Sequence, residues 1–562
     1  MNYVLILLLV GVVVLICVFV GRLSEKLKVP SLILFIGIGL LFGEDGVGGI
    51  VFNDYGFAEI ACSVCLIFVI FYGGFGTNFK AARPIVGQAA VLSFAGTALT
   101  AGALGAAVYF ILGGVFGADI GWLESMLIGS VVASTDAASV FNILRSRRLN
   151  LKYNTSSLLE MESGSNDPMS YMLTMLFVSL LSVEGYGVGE GFILLLCQVG
   201  FGAVIGVALA FAAIFILKKL PMTVGQGGTL FLLAMALLAF VLPQLPSILS
   251  GVAAINGNGY LAVYICGIML GNSGIAQKRE FSKFCDSLTS IAQMMIFFLL
   301  GLLATPSRLP DVILPALLIF VVLTVAVRPL VVTGLLLPFR TKPNKVFVVS
   351  WAGLRGVASI VFAIVATSTL SQAGMFLPYD LFNLVFCIVL LSIVIQGTLL
   401  PVMSRKAKMI DTSGTVMRTF NDYEEEADIG FIRIEVGEDH PWYGRRLRDA
   451  VMPKEFLILL ILRGKEAIVP SGDTCIEDGD VLVCAAPEFK GKDDFGMYEE
   501  FIGKKHRWNG MLIRDLKLPA GTLVAMIRRG DSALVPRGNT RVEVNDTLAI
   551  LRIKDLSQGE IE

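Results

Sequence analysis

A short polar segment within an apolar part of the chain has residue types suited to ion chemistry. Residues 160–168 read Glu-Met-Glu-Ser-Gly-Ser-Asn-Asp-Pro, and the segment that follows, 169–181, is largely apolar. A charged side chain near the centre of a bilayer costs at least ~2.5–3.5 kcal/mol, so such residues usually line an ion path or a proton relay. The segment therefore predicts cation or proton transfer within a membrane helix.

The composition divides the chain into a membrane part and a soluble part. The chain has 562 residues, of which 55% are hydrophobic and 16% charged, with a mean hydropathy of +0.78. Soluble domains carry about 25% charged residues. Residues 1–405 are a succession of apolar segments, whereas residues 411–562 have an ordinary soluble composition. The net charge of −1 gives no reason to expect a nucleic-acid partner.

The apolar segments predict a polytopic α-helical membrane domain of about thirteen transmembrane helices, by the length needed to span a bilayer. The predicted spans are 2–21, 30–43, 57–75, 86–112, 121–144, 155–182, 191–217, 228–242, 257–272, 288–304, 312–338, 345–367 and 380–403. Basic residues concentrate in alternate loops, and the other loops contain only Arg308. The positive-inside rule then predicts that the N-terminus lies outside and the soluble domains lie in the cytoplasm. The expected location is a bacterial inner membrane, whose lipids contact the helices.

Charged residues on four of these spans are predicted to lie at a similar depth. At a rise of 1.5 Å per residue, Asp136, Arg355 and Asp167 lie about 14, 15 and 18 Å from the same end of their spans. Arg328 is the other basic residue inside a span, and Glu162 is an acid available to pair with it. A single buried ion pair would need only those two residues. Because two further acids remain on two helices, we predict a cation site.

Two predicted spans carry signs of interruption in the middle. Asp136 lies among the small residues 133–139 of the fifth span, and Arg355 lies between Gly353 and Gly356 in the twelfth. Broken helices expose backbone groups that bind ions near the bilayer midplane. The two spans occupy the same place in two six-helix halves of opposite orientation, which predicts inverted six-helix repeats.

The same motifs carry a family resemblance that covers residues 1–405. Ser134-Thr-Asp, Glu162-Ser-x-x-Asn-Asp-Pro, Val327-Arg-Pro and Gly353-Leu-Arg-Gly, in this order and spacing, resemble the monovalent cation:proton antiporters of the NhaP and sodium/proton-exchanger type. The resemblance implies a homodimer, in which a mobile core bundle gives alternating access. It implies a transporter with H⁺ and either K⁺ or Na⁺ as substrates and no tightly bound cofactor. A membrane-bound enzyme is not expected, because the membrane part has no histidine, no nucleophile triad and no metal-ligand spacing.

The resemblance also implies roles for individual residues. Glu162 and Arg328 would form a structural ion pair, and Arg355 would steady the crossing of the broken helices. Asn166 stands where electrogenic relatives have a second aspartate, which implies electroneutral exchange of one cation for one proton. The implied ion-binding and proton-coupling residues are Asp167, Asn166, Asp136, Thr135 and Ser163. All of these except Asn166 are the implied ligands of the monovalent metal cation.

Exchange would follow from competition at one carboxylate. A proton and a dehydrated cation cannot both occupy Asp167 without a large cost in free energy, so each displaces the other.

The alternative from another class is a ligand-gated potassium channel. Residues 223–227 read Thr-Val-Gly-Gln-Gly, close to a potassium-filter loop. Gln226 replaces the filter tyrosine, and the stretch follows Lys218 and Lys219 in a connection between spans, so we interpret it as a glycine-rich loop.

The soluble part contains two copies of one small domain. After a linker at 406–428, residues 429–490 and 491–562 repeat a motif at a constant offset of 66 residues, as in Trp442-x-Gly and Trp508-x-Gly. Alternating β-rich runs and turn residues predict a compact α+β fold. Both copies resemble the RCK-C (TrkA-C) regulatory domain of potassium systems, which tilts the expected cation toward K⁺. A small-molecule regulator such as cyclic di-adenosine monophosphate (cyclic di-AMP) is one implication, and a purely dimerising role is the other.

Overall fold

The computed structural model of the chain divides into two units, Met1–Glu425 and Glu426–Glu562. The described residues of the first unit are 31–77, 79–146, 149–183, 185–219, 227–274 and 278–411, with the single positions 11, 15, 16 and 19. Those of the second unit are 429–437, 440, 442–450, 457–463, 466–487, 495–503, 506–516, 518–519, 522–529, 532–534, 536 and 538–553.

The first unit is built of helices joined by short connections. In chain order they are α1 (Ser31–Phe42), α2 (Tyr55–Gly76), α3 (Val86–Val115), α4 (Trp122–Val131), α5 (Ala137–Ser146), α6 (Thr155–Ser182), α7 (Val188–Lys219), α8 (Gly227–Ser250), α9 (Gly259–Gly271), α10 (Lys278–Leu303), α11 (Pro306–Phe339), α12 (Pro343–Trp351), α13 (Val357–Gln372) and α14 (Leu381–Lys406). A single turn at Phe79–Ala82 precedes α3.

Among the described residues, eight helices are long and apolar enough to cross a membrane. Every predicted span from 30–43 onward contains a helix or a pair of helices. The predicted span 2–21 lies outside the described residues apart from four positions, and so do residues 223–226 of the glycine-rich loop. A helical membrane domain is thus confirmed, while the number thirteen stays a prediction.

The fifth and twelfth predicted spans are each broken in the middle. The chain leaves the helical conformation at 132–136, between α4 and α5, and again at 352–356, between α12 and α13. Asp136 caps the start of α5, because its carboxylate accepts from the backbone N–H of Ser139 (3.3 Å) and from the Ser139 hydroxyl (2.6 Å). The prediction of broken helices is confirmed, and both breaks coincide with the charged residues.

A π-helical segment of α14, Ser392–Gly397, receives the second break. The Ser392 hydroxyl accepts from the backbone N–H of Arg355 at 3.0 Å and donates to Gln396 at 2.9 Å. The Gln396 amide in turn donates to the backbone carbonyl of Trp351 at 2.6 Å. Backbone groups freed by the break thus find partners inside the protein, as a buried interruption of a membrane helix requires.

The second unit contains two four-stranded antiparallel sheets of the same topology. The strands are β1 (Ile429–Glu435), β2 (Leu457–Arg463), β3 (Glu466–Ile468), β4 (Asp480–Pro487), β5 (Phe495–Phe501), β6 (Thr522–Arg529), β7 (Ser532–Leu534) and β8 (Asp546–Ile553). The sheet orders are β1-β4-β2-β3 and β5-β8-β6-β7. Register shifts occur at Ile458/Leu460 and at Val524/Met526, again 66 residues apart.

Each sheet contains a buried aspartate held by an arginine. In the first sheet, Nε and Nη2 of Arg463 both donate to the fully buried Asp480 at 2.8 Å, and the backbone N–H of Glu477 donates to it at 2.8 Å. Arg529 and Asp546 repeat the arrangement in the second sheet. The hydrogen bonds from Arg463 hold the pKa of Asp480 below its usual range.

We expect Asp480→Asn to destabilise the first sheet by on the order of 2 kcal/mol at pH 7, because charge-assisted hydrogen bonds to Arg463 are lost. A carboxyl whose pKa is lower in the folded state stabilises the fold above its unfolded pKa of about 3.9, and the stabilisation disappears as pH falls through the folded value. The difference between variant and wild type should therefore shrink below about pH 4.

Hydrogen–deuterium exchange of residues 480–487 in the full chain, corrected for intrinsic rates, measures this effect. Asp473→Asn is the matched control, because Asp473 contacts Arg448 at 2.8 Å with both side chains more than half exposed. Its effect should stay within about 0.5 kcal/mol. Equal protection of the sheet in wild type and Asp480→Asn at pH 7 would contradict the prediction.

Candidate ion-binding site

The two broken helices cross and bond to each other through their unwound segments. The backbone N–H of Asp136 donates to the carbonyl of Leu354 at 2.8 Å. Nη1 of Arg355, which is 1% exposed, donates to the carbonyls of Ala133 (2.6 Å) and Ser134 (2.7 Å). The guanidinium of Arg355 is therefore hydrogen-bonded to backbone carbonyls of the first break, and not to a carboxylate.

The crossing is close because Gly356 has no side chain. A Cβ atom placed on Gly356 would lie 2.1 Å from Oδ2 of Asp136 and 2.5 Å from its Cβ. Gly353 is similarly constrained, since a Cβ atom there would lie 2.9 Å from Nε of Arg328. Both glycines of the Gly-Leu-Arg-Gly motif thus permit side chains of other helices to approach the second break.

Helix α6 runs past the first break and contacts it with three side chains. The Ser163 hydroxyl donates to the carbonyl of Thr135 (2.7 Å) and accepts from the backbone N–H of Ala137 (2.9 Å). The Asn166 amide donates to the Thr135 hydroxyl at 2.6 Å. Asp167 accepts from the Ser134 hydroxyl. Residues 163–167 therefore fix the conformation of the first break.

A cavity of about 250 Å³ opens at this crossing. Asp136 and Asp167 both line it and are partly exposed. The lining also includes Ser134, Thr135 and Ser163, which are buried. Asn166 is buried and does not line the cavity. Its amide nitrogen is directed to Thr135, and its Oδ1 has no hydrogen-bond partner among the described groups. Four of the five predicted ion-site residues are thus brought together at one cavity.

The cavity extends from the crossing toward the connections that are rich in Lys and Arg. Its lining includes Glu160, in the second turn of α6, and Asp286, in the third turn of α10. The connections that precede both helices belong to the basic series of loops. Among the described residues that line the cavity there is no Lys or Arg, so a cation approaching from that side would meet acidic, polar and apolar side chains on its way to Asp167.

A buried ion pair between Glu162 and Arg328 lies outside the cavity lining. Nη2 of Arg328 donates to Oε1 of Glu162, and the two side chains are 3% and 1% exposed. Nε of Arg328 and Oε2 of Glu162 have no hydrogen-bond partner among the described groups. The backbone carbonyl of Glu162 accepts from the Ser93 hydroxyl at 3.1 Å, which ties α6 to α3.

Several residues of this region were missed by the sequence reasoning. The Asn258 amide donates to the carbonyl of Pro168 at 2.8 Å, and the Tyr264 hydroxyl accepts a hydrogen bond from the Ser165 hydroxyl at 2.9 Å. Ser134 reaches Asp167 itself. Ser134 belongs to the Ser-Thr-Asp motif, so its position was a usable signal although no role was assigned to it. Asn258 and Tyr264 lie on α9 or at its start, and nothing in their sequence context relates them to α6.

Among the described residues, this arrangement includes no cluster typical of a zinc or other multivalent metal centre. The described residues contain no group of three or more His, Cys, Asp or Glu side chains placed to hold a metal ion. Cys62 and Cys65, which have zinc-like spacing, are buried on α2. The chemistry available at the crossing is that of two carboxylates surrounded by hydroxyl groups.

Comparison with protein families identifies the membrane unit. The family model described as "Sodium/hydrogen exchanger, transmembrane" matches residues 11–406, which is more than half of the chain. The chain belongs to the sodium/hydrogen exchanger family. The TrkA-C domain model matches residues 431–488 and 497–552, so the second unit contains two TrkA-C domains.

Curated relatives of this exchanger extend over most of the chain. The K(+)/H(+) antiporter NhaP of Alkalimonas amylolytica is 35% identical over 482 residues, which cover 85% of this chain and 80% of that protein. The K(+)/H(+) antiporter NhaP2 of Shewanella oneidensis is 31% identical over 481 residues, covering 84% and 79%. Both identities extend well beyond the membrane unit.

A solved structure shares the fold of the exchanger. The sodium proton antiporter MjNhaP1 from Methanocaldococcus jannaschii superposes with a TM-score of 0.63 at 22% identity, covering 72% of this chain and 99% of that one. The predicted resemblance to cation:proton antiporters with two C-terminal TrkA-C domains is therefore confirmed. The family is one of transporters, so the prediction against an enzyme is confirmed, and the channel alternative is not favoured.

Proposed function

We propose that this exchanger moves K⁺ in one direction and H⁺ in the other, and that Asp167 is the group for which they compete. The proposal rests on how the charged side chains of the four helices are partnered. Arg328 contacts Glu162, and Arg355 donates to backbone carbonyls. Asp136 and Asp167 thus face the cavity with no arginine partner among the residues that the structure describes.

The cavity supplies ligands of the type that a monovalent cation takes. Na⁺ and K⁺ are hard cations that bind oxygen atoms, and carbonyl or hydroxyl oxygens replace their hydration shells in protein sites. Asp167 and Asp136 would supply the charge, with the Ser163 and Thr135 oxygens beside them. Asn166 would act indirectly, by orienting the Thr135 hydroxyl from behind.

Exchange follows if only a neutralised site crosses the membrane barrier. Either a proton or a cation neutralises Asp167, and each must leave before the other binds. The core helices would then move with the occupied site, as in alternating access. If Asp167 alone exchanges its bound ion and the charge of Asp136 stays constant, one cation replaces one proton and the cycle is electroneutral.

The proposed K⁺ preference rests on the relatives and on the second unit. Both curated relatives named above are K(+)/H(+) antiporters, and TrkA-C domains occur in this chain as well. We assign the TrkA-C domains a regulatory role in the cytoplasm, with a small ligand such as cyclic di-AMP as the candidate effector. The exchanger would function as a homodimer in a bacterial inner membrane, with its N-terminus outside.

Dissipation of a pH gradient in proteoliposomes tests the proposal. We expect K⁺ to collapse the gradient at lower concentration than Na⁺, with protein-free vesicles as the control. Collapsing the membrane potential with a permeant anion such as thiocyanate should leave the rate unchanged, because no net charge moves. A rate for Na⁺ equal to that for K⁺ would contradict the cation preference, and a rate set by the potential would contradict electroneutrality.

A further inference from the structure

A second cavity lies on the membrane-facing side of the helices, away from the ion site. It is a groove of about 520 Å³ between α11 and α12, within the ~300–1,000 Å³ range of ligand sites. Its lining is mainly apolar and includes Val325, Pro329, Leu337 and Phe347. The side chains of Val325 and Leu337 are 68% and 73% exposed. Apolar side chains this exposed on membrane-spanning helices face lipid tails.

The groove is long enough to hold a lipid acyl chain. Thr324 and Arg340 line it and are sixteen residues apart on α11 and its end, which is about 24 Å at 1.5 Å per residue. One leaflet of the hydrocarbon core is ~15 Å deep. The groove therefore reaches from the polar edge of the bilayer into its interior, and its natural occupant is an acyl chain.

One end of the groove is basic. Arg340 and Thr341 line that end, in the connection between α11 and α12. Within the part of the chain that the structure describes, Arg340 is exposed and forms no ion pair. The two lysines that follow it are engaged elsewhere: Lys342 lies 4.1 Å above the Tyr153 ring, and Lys345 donates to Gln88 at 3.0 Å. Arg340 is thus the cation available to a ligand in the groove.

We propose that the groove binds an anionic phospholipid, with an acyl chain between α11 and α12 and the head-group phosphate on Arg340. Basic pockets between membrane helices on the positively charged side are suited to such head groups. A zwitterionic lipid would fill the same apolar volume, but its own cation would face Arg340. The charge at the mouth of the groove therefore selects the lipid.

The groove also adjoins the machinery of the ion site. Pro329 follows Arg328 directly, and Trp351, another lining residue, is the last residue of α12 before the second break. The indole N–H of Trp351 donates to the Gln396 carbonyl at 3.1 Å, which joins the groove to α14. A bound lipid would therefore contact the elements that carry Arg328 and Arg355 without contacting the ion.

Quenching of tryptophan fluorescence by lipids with brominated acyl chains tests the proposal, because Trp351 lines the groove. The full chain is reconstituted in phosphatidylcholine vesicles containing a small fraction of brominated phosphatidylglycerol or brominated phosphatidylcholine. We expect half-maximal quenching at about fivefold lower fraction of the anionic lipid, the effect of one basic residue near an anionic head group. Arg340→Gln should make the two lipids equivalent.

Two further variants distinguish lipid binding in the groove from a general attraction of anionic lipids to basic residues of the protein. Arg405→Gln removes an exposed arginine at the end of α14 and should keep the fivefold preference. Thr333→Phe introduces a large side chain into the groove lining and should weaken quenching by both lipids. Equal quenching by both lipids in the wild type, or a preference that survives Arg340→Gln, would overturn the proposal.

Discussion

Asp167→Asn should abolish cation-driven proton movement while leaving the protein folded. Asparagine has nearly the same shape as aspartate and can still accept from the Ser134 hydroxyl, so the contact between α6 and the first break survives. The side chain can no longer carry a charge or take up a proton. Because exchange requires one group that holds the two ions in turn, we expect no pH-gradient dissipation by K⁺ or Na⁺ above that of protein-free vesicles.

A binding measurement separates loss of the site from loss of the transport cycle. A ligand that binds the folded state raises the melting temperature by mass action. Wild-type protein in detergent should therefore melt at a higher temperature in K⁺ than in a salt of a bulky organic cation. Asp167→Asn should melt at one temperature in both salts, because the charged ligand of the cation is gone.

Asp286→Asn is the matched control for the Asp167 variant. Asp286 lines the same cavity but is exposed, near the start of α10. Its neutralisation should slow cation entry by less than about tenfold, since a surface charge mainly changes association rate. Exchange retained in Asp167→Asn would show that another group carries the proton. Passage of K⁺ without protons in that variant would restore the channel alternative.

The sequence was most informative where charge interrupted an apolar pattern. Asp136, Arg328 and Arg355 stood out because charges inside a membrane span are costly. The glycines beside Arg355 and the small residues beside Asp136 predicted where the helices break, and the structure has both breaks at those places. Helix positions followed from span length, which the bilayer thickness sets.

The sequence could not indicate which side chains meet across helices. Asn166 was singled out on motif grounds alone, and the motif did not indicate that its amide nitrogen donates to the Thr135 hydroxyl. Gly356 was taken only as a helix breaker, whereas its missing Cβ is what allows Asp136 to approach the second break. Such contacts depend on how α6, the two breaks and α9 are rotated, and a helix's rotation is set by packing that no single segment encodes.

Glu162→Gln should lower the stability of the membrane unit by several kcal/mol and affect ion binding little. Removing one partner of a buried ion pair leaves an uncompensated charge, which costs about 3–5 kcal/mol. Here the remaining charge would be Arg328, whose side chain is 3% exposed and whose Nε already lacks a hydrogen-bond partner among the described groups. Thermal unfolding in detergent should report a large fall in melting temperature. Glu44→Gln, at an exposed turn residue, is the control.

A double variant distinguishes the charge from the packing. If the damage in Glu162→Gln comes from the unpaired arginine, Glu162→Gln combined with Arg328→Gln should melt at a higher temperature than Glu162→Gln alone, because two neutral amides replace the pair. K⁺ should still stabilise whichever of these variants remains folded, since neither residue lines the cavity. A normal melting temperature for Glu162→Gln would refute the structural role of the pair. Loss of K⁺ stabilisation with normal folding would move Glu162 into the ion site.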